Sequence, residues 1–210
     1  MAQFETEEQQ VEAIKAFWKE NGKAIILGAV IGFGGIFGWD YYKDYQKEQA
    51  VLASEQYAKA VETIVAGSDD QSQFVEKAEA LKSGYAKTSY AALAALKLAE
   101  IEVSKENLDS AAEQLRWVVD QGNKTFVPVA QVRLARVLLA QEDYDAAVSQ
   151  ADSISAEAYK ASALLVKGEA LLAKGDTEGA KNAFIEARDA SNTAPHPLLA
   201  LRLSEFGIEK

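Results

Sequence analysis

The chain has 210 residues, enough for one sizeable domain with an appendage, and with 49% hydrophobic and 26% charged residues it has the composition of a folded protein rather than a disordered one. Its formal net charge of −10 argues against nucleic-acid binding, which needs clustered Lys and Arg to neutralise phosphates. Without cysteine there is no disulfide framework, thiolate nucleophile or cysteine-ligated metal, and the single histidine, His196, stands between Pro195 and Pro197 in a turn. The 32 Asp and Glu residues are scattered over helical faces in the manner of a solvated surface. No catalytic residue, cofactor-binding site or metal site is expected.

Residues 1–22 are polar and of mixed charge, and Thr6 with Gln9 three positions on makes a capping box. Val11, Ile14, Phe17 and Trp18 follow at helical spacing, which predicts a short amphipathic helix lying at a membrane surface.

Residues 23–42 are apolar and carry Gly28, Gly32, Gly34, Gly35 and Gly38. A dinucleotide loop needs G-x-G-x-x-G between a strand and a helix, but in GFGGIFG Phe37 occupies the third glycine's place and no strand pattern flanks it. A cleavable export signal needs a positive leader and small residues at the cleavage site. Here five glutamates outnumber three lysines before the run, and WDYYKDY follows it. A membrane-spanning helix fits better. Ala24 to Trp39 is uncharged and about 24 Å long as a helix, and Trp18 to Tyr42 reaches about 36 Å, enough for the roughly 30 Å hydrocarbon core.

Trp18 on one side and Trp39, Tyr41 and Tyr42 on the other are expected to anchor that helix at the two interfaces, with Lys19 and Lys23 snorkelling. The competing reading is a helix buried in a soluble core. Gly28, Gly32 and Gly35 share one face and Gly34 and Gly38 form a second small-xxx-small pair, a spacing that admits a neighbouring transmembrane helix. Lys15, Lys19 and Lys23 before the span, against Lys43 and Lys47 after it, favour a cytoplasmic N-terminus.

Residues 43–210 are Ala-rich and helical in period, beginning with Val51, Ser54, Tyr57, Ala58, Val61, Ile64 and Val65. No run alternates with period two, so the fold class is all-α. Three segments, 96–115, 132–151 and 166–184, align without gaps. Each has a small residue after its turn, Ala111, Ala147 and Ala180, at steps of 36 and 33 residues, and another small one twelve residues earlier, Ala99, Ala135 and Gly168. Leu115 and Phe184 are expected to plug the gaps between hairpins. The turns ENLD, EDYD and GDTE resemble those of the tetratricopeptide repeat, a helix–turn–helix unit of about 34 residues. Three degenerate repeats are placed at about 92–124, 128–160 and 161–194, with capping helices at 46–82 and 197–206. An irregular Ala-rich bundle is the alternative.

The run EEQQVEAIKAFWKENGKAIILGAVIGFGGIFGWDYY, followed by a degenerate repeat region, resembles the YfgM family of bacterial inner-membrane proteins over the whole chain. The resemblance implies a single-pass protein with a periplasmic repeat domain, an ancillary subunit of the SecYEG translocon. It further implies association with a membrane-anchored periplasmic chaperone of the PpiD kind, help to newly exported proteins, and a link to stress-response regulation through a cytoplasmic protein. It carries no catalytic residues.

A binding groove is expected on the first helix of each repeat, at Leu96 and Val103, Val132 and Leu139, Leu165 and Leu172, with Glu100, Arg136 and Glu169 between them. Such a surface suits an unfolded client chain or a chaperone's helix, unless the terminal Leu-rich helix folds back and fills it. The functional reading is a non-enzymatic, membrane-anchored interaction subunit of the translocon. Its alternative is a membrane-tethered regulator whose Phe17 and Trp18 bind a cytoplasmic signalling protein.

Overall fold

A computed structural model describes residues 7–65, 71–191 and 196–208. Its helices are α1 (Glu7–Val65), α2 (Ser72–Gly84), α3 (Ser89–Ser104), α4 (Leu108–Asp120), α5 (Val127–Ala140), α6 (Tyr144–Asp152), α7 (Glu157–Ala173), α8 (Thr177–Asp189) and α9 (Pro197–Glu205). The described residues contain no strand, in keeping with the all-α expectation. The chain divides into two compact units, Met1–Gln49 and Ala50–Lys210. Thr6, the expected helix cap, lies outside the described residues.

In the first unit α1 runs without a break through positions 22–23 and 42–43. The expected short N-terminal helix is therefore the opening turns of α1 and not a separate element. No proline interrupts it. Each interior glycine costs a helix about 1 kcal/mol in water, but in hydrocarbon an unpaired backbone amide costs several, so the glycines stay helical.

In the second unit the turn chemistry repeats. Glu106, Glu142 and Gly175 occupy equivalent places after α3, α5 and α7, and all three have positive φ, 62°, 61° and 86°. Their amides donate to Val103, Leu139 and Leu172 carbonyls, and the next residues, Asn107, Asp143 and Asp176, donate to Glu102, Leu138 and Leu171. This is the Schellman pattern, which satisfies the last carbonyls of a helix and turns the chain by a left-handed residue. Asp143 and Asp176 then cap α6 and α8 by accepting from the Ala146 and Gly179 amides. Each hairpin is thus closed by one six-residue device, used three times.

Each of α2 to α8 packs on the next helix, and α5 also packs on α7. The small residues read as close-approach points are all buried: Ala99 and Ala111, Ala135 and Ala147, Gly168 and Ala180. Leu115 and Phe184 are buried beside them. At the N-terminal end of this unit, Ala53 and Ala60 of α1 join Phe74, Ala78 and Leu81 of α2 and Leu98 of α3 in one apolar cluster. At the other end, Leu199 and Leu203 of α9 close over Leu165, Phe184 and Ala187.

Candidate functional site

Two surfaces carry the features expected to bind something, one in each unit. In the first, α1 contains an 18-residue window of mean hydropathy 1.6. Ile25, Ile26, Leu27, Val30, Ile31, Phe33, Ile36 and Phe37 are between 41% and 71% exposed. A soluble core helix would bury such side chains on at least one face, whereas a helix apolar all round and exposed all round is suited to lipid. α1 carries a transmembrane span in this apolar stretch, while its last turns belong to the second unit. Trp18, Trp39, Tyr41 and Tyr42 are all exposed on it, with Trp18 lying back over Gly22 and the Trp39 and Tyr42 rings 6.1 Å apart. At Gly28, Gly32, Gly34, Gly35 and Gly38 a Cβ would meet nothing within 4 Å. Neither glycine face is filled by the described residues of the chain itself.

The second unit places the seven expected groove residues differently from one another. Leu96, Val132 and Leu165 are buried, each in a different core cluster. Leu139 and Leu172 are half-buried against those clusters. All five pack into the core, and Leu165 also borders a second cavity described below. Val103 and Arg136 do line an open cavity, of about 360 Å³, between α3, α4 and α5. Its other walls are Ala99, Glu100, Leu108, Leu115, Arg133, Val137 and Ala140. Sequence reasoning missed Arg133, Val137 and Ala140, although Arg133, Arg136, Val137 and Ala140 form one stripe of a helix at i, i+3, i+4 and i+7.

Whether the terminal helix fills the face has a divided answer. α9 lies against α8 and covers the α7 end, where Arg202 grips Glu169 through two hydrogen bonds, Nε to Oε1 at 2.7 Å and Nη2 to Oε2 at 2.9 Å. A further bond runs from Arg202 to Glu205 at 2.9 Å. The hydrogen bonds to Glu169 and Glu205 raise the Arg202 pKa further above its ordinary value, so the clamp stays charged. The cavity between α3 and α5 does not include any α9 residue.

A second cavity of about 480 Å³ lies between α5, α7, α8 and α9, where Arg136, Glu157, Ser162 and His196 give it a polar lining. His196 is occupied locally, its Nδ1 accepting the Leu198 amide as the cap of α9. Among the described residues no group of three or more His, Asp or Glu is placed to hold a metal.

A family model described as a tetratricopeptide repeat-like domain matches residues 15–207. The ancillary SecYEG translocon subunit of Escherichia coli (strain K12) is 39% identical over 208 residues, covering 98% of both chains. The subunit of the same name from Aggregatibacter actinomycetemcomitans is 34% identical over 95% of this chain and 97% of its own, and that of Haemophilus influenzae 29% over the same shares. No solved structure matches the chain.

Proposed function

The chain belongs to the tetratricopeptide repeat-like family of the ancillary SecYEG translocon subunits, and from that premise we propose that it is itself such a subunit. In this reading it links exported proteins to a membrane-anchored periplasmic chaperone, without catalysing a reaction. The observation that carries the proposal is the extent of the likeness, which spans 98% of the chain and so takes in the transmembrane helix as well as the repeats.

The chain lies in the bacterial inner membrane with its N-terminus cytoplasmic and residues from 43 onward periplasmic, as the lysine bias across the span favours. Trp18, Trp39, Tyr41 and Tyr42 set its depth, and the face of Gly28, Gly32 and Gly35 receives a partner's transmembrane helix. The divisions 1–22, 23–42 and 43–210 then correspond to cytoplasmic, membrane and periplasmic parts.

The test is affinity purification of the full-length tagged chain from membranes solubilised in mild detergent, with mass spectrometry of what accompanies it. SecYEG and a periplasmic chaperone are expected, both retained when residues 2–18 are deleted. Absence of SecYEG from the full-length preparation overturns the proposal. Loss of partners only on the deletion favours instead a cytoplasmic regulatory contact through the exposed Val11, Ile14, Phe17 and Trp18.

A further inference from the structure

We propose that the cavity between α3, α4 and α5 is a docking site for an internal segment of a partner protein in which an apolar side chain is flanked by Asp or Glu side chains. The proposal rests on the reading of the repeat unit as a protein-interaction module and names the chemistry that module selects. The floor is apolar and dry in character, made by Ala99, Leu115 and Val137, all buried. Val103 forms one rim and is 44% exposed; among the described residues from α2 through α8 no other large apolar side chain is so exposed. A volume of about 360 Å³ falls within the range of clefts that hold a ligand group.

Charge supplies the second half of the specification. Arg133 and Arg136 stand one turn apart on α5, both exposed, both lining the cavity, and neither has an ion pair among the described residues. In a chain with 32 carboxylates against 22 Lys and Arg, two guanidiniums without an ion pair are against the balance of charge, even though Arg136 also borders the second cavity that Glu157 lines. The one acid in the cavity wall, Glu100, is taken by Lys97 of its own helix at 2.6 Å. The α3 wall is therefore neutralised from within, and the α5 wall presents two planar forks that each match a carboxylate.

Two forks one turn apart fit two acids spaced along a segment, where a chain terminus supplies one carboxylate. Side-chain carboxylates are accordingly the source proposed. Apolar contact holds the segment, and the guanidiniums select it from the many apolar stretches an export pathway presents.

The experiment uses the full-length protein in nanodiscs and a fluorescein-labelled, end-blocked eight-residue peptide with two adjacent leucines between glutamates. Fluorescence anisotropy should show saturable binding that weakens with salt. The double variant Arg133→Gln, Arg136→Gln should raise Kd about tenfold or more, Val103→Ser several-fold, and Arg116→Gln, on α4 outside the cavity, should leave it unchanged. Circular dichroism checks that each variant keeps its helicity. A photo-leucine at the central position should crosslink to peptides containing Val103 or Val137.

No saturable binding, equal binding of the glutamine version of the peptide, or insensitivity to the double Arg variant each overturns the proposal. Tighter binding of a glutamine peptide with a free C-terminal carboxylate overturns the side-chain source. SecYEG co-purification with the unaltered chain separates the two levels: its failure with peptide binding intact removes the translocon role and leaves the site standing.

Discussion

Replacing Gly168 by Ala sets local helix preference against packing, and the structure says which wins. Gly168 lies inside α7, where an Ala is favoured by about 1 kcal/mol on propensity alone. A Cβ built there would stand 2.3 Å from Cε1 of Phe184, 2.6 Å from Cδ1 and 2.9 Å from Cζ. The comfortable carbon–carbon separation is about 3.5–4.0 Å, so α7 and α8 must part by roughly 1 Å or the ring must turn. The ring has little room. Phe184 is wholly buried and its centroid is 6.0 Å from that of Phe206, which follows α9.

Overpacking of this kind costs about 1–3 kcal/mol, and the severity of the contact puts it toward the upper end. Net destabilisation should be about 1–2 kcal/mol, a fall in Tm of roughly 2–8 °C for a chain of this size. The assay is thermal unfolding of the full chain in detergent, followed by circular dichroism. In a Phe184→Leu background the same Gly168→Ala change should cost nothing or stabilise, a coupling of about 1–3 kcal/mol. A rise in Tm on Gly168→Ala in the unaltered chain would refute the packing argument.

Four further outcomes follow from the geometry. Glu142→Gly should raise Tm by about 1–4 °C, since relief of a left-handed residue, of order 1–2 kcal/mol, exceeds the entropy glycine loses on folding; no rise would mean that Glu142 is unstrained at φ 61°. Arg202→Met should free α9, costing about 1–2 kcal/mol because the Glu169 pair is only partly exposed, and hydrogen exchange in Leu199–Leu203 should quicken about 5–30-fold. Unchanged exchange there would leave the apolar contacts as the sole fastening.

Burial holds the Tyr57 phenol above its ordinary value, Lys97 lowering it and Glu100 raising it to lesser degrees. The folded chain therefore keeps a proton that the unfolded chain releases above pH about 10, and stability falls as pH rises through that window. Urea unfolding between about pH 9 and 11.5 should show a shallower loss in Tyr57→Phe; an equal slope would contradict the assignment. In the membrane helix, Gly32→Leu should leave helicity unchanged, because nothing of the chain itself lies within 4 Å of that Cβ, yet cut photo-crosslinking to the partner helix about fivefold or more. Undiminished crosslinking would place the partner on another face.

The repeat was legible in the sequence because its determinants are small residues at fixed offsets: Ala99 and Ala111, Ala135 and Ala147, Gly168 and Ala180 mark where two helices touch, whatever fills the rest. The membrane helix was legible from composition alone. What the sequence left open was which side of each first helix faces outward. Leu96, Val132 and Leu165 and the exposed Val103 are all apolar, so hydrophobicity does not tell a core position from a binding one; only the placement of α4 and α6 does. Leu139 and Leu172, expected in the groove, are half-buried against the core, so a charge there would disturb packing as well as any partner. An exposed arginine such as Arg133 is equally ordinary in a sequence, and only the fold shows that it makes no ion pair among the described residues.

The same physics explains why the two ends of this face differ. A solenoid must cover its last hairpin or leave an apolar edge in water. Here α9 does so with Leu199 and Leu203 over Leu165 and Phe184, and the Arg202–Glu169 pair fixes its register. Covering the α3–α5 end likewise would need a second such helix with an acid in place of Arg202, because the stripe it would meet carries Arg133 and Arg136 where α7 carries Glu169. The chain's own cap is thus matched in charge to one end and mismatched to the other. An Arg202→Glu variant should both release α9 from Glu169 and make it a competitor for the α5 arginines, lowering the affinity of an acidic, leucine-bearing peptide where the unaltered cap does not interfere. If peptide affinity is instead unaffected, the two ends act independently and the charge pattern does not govern which segment sits where.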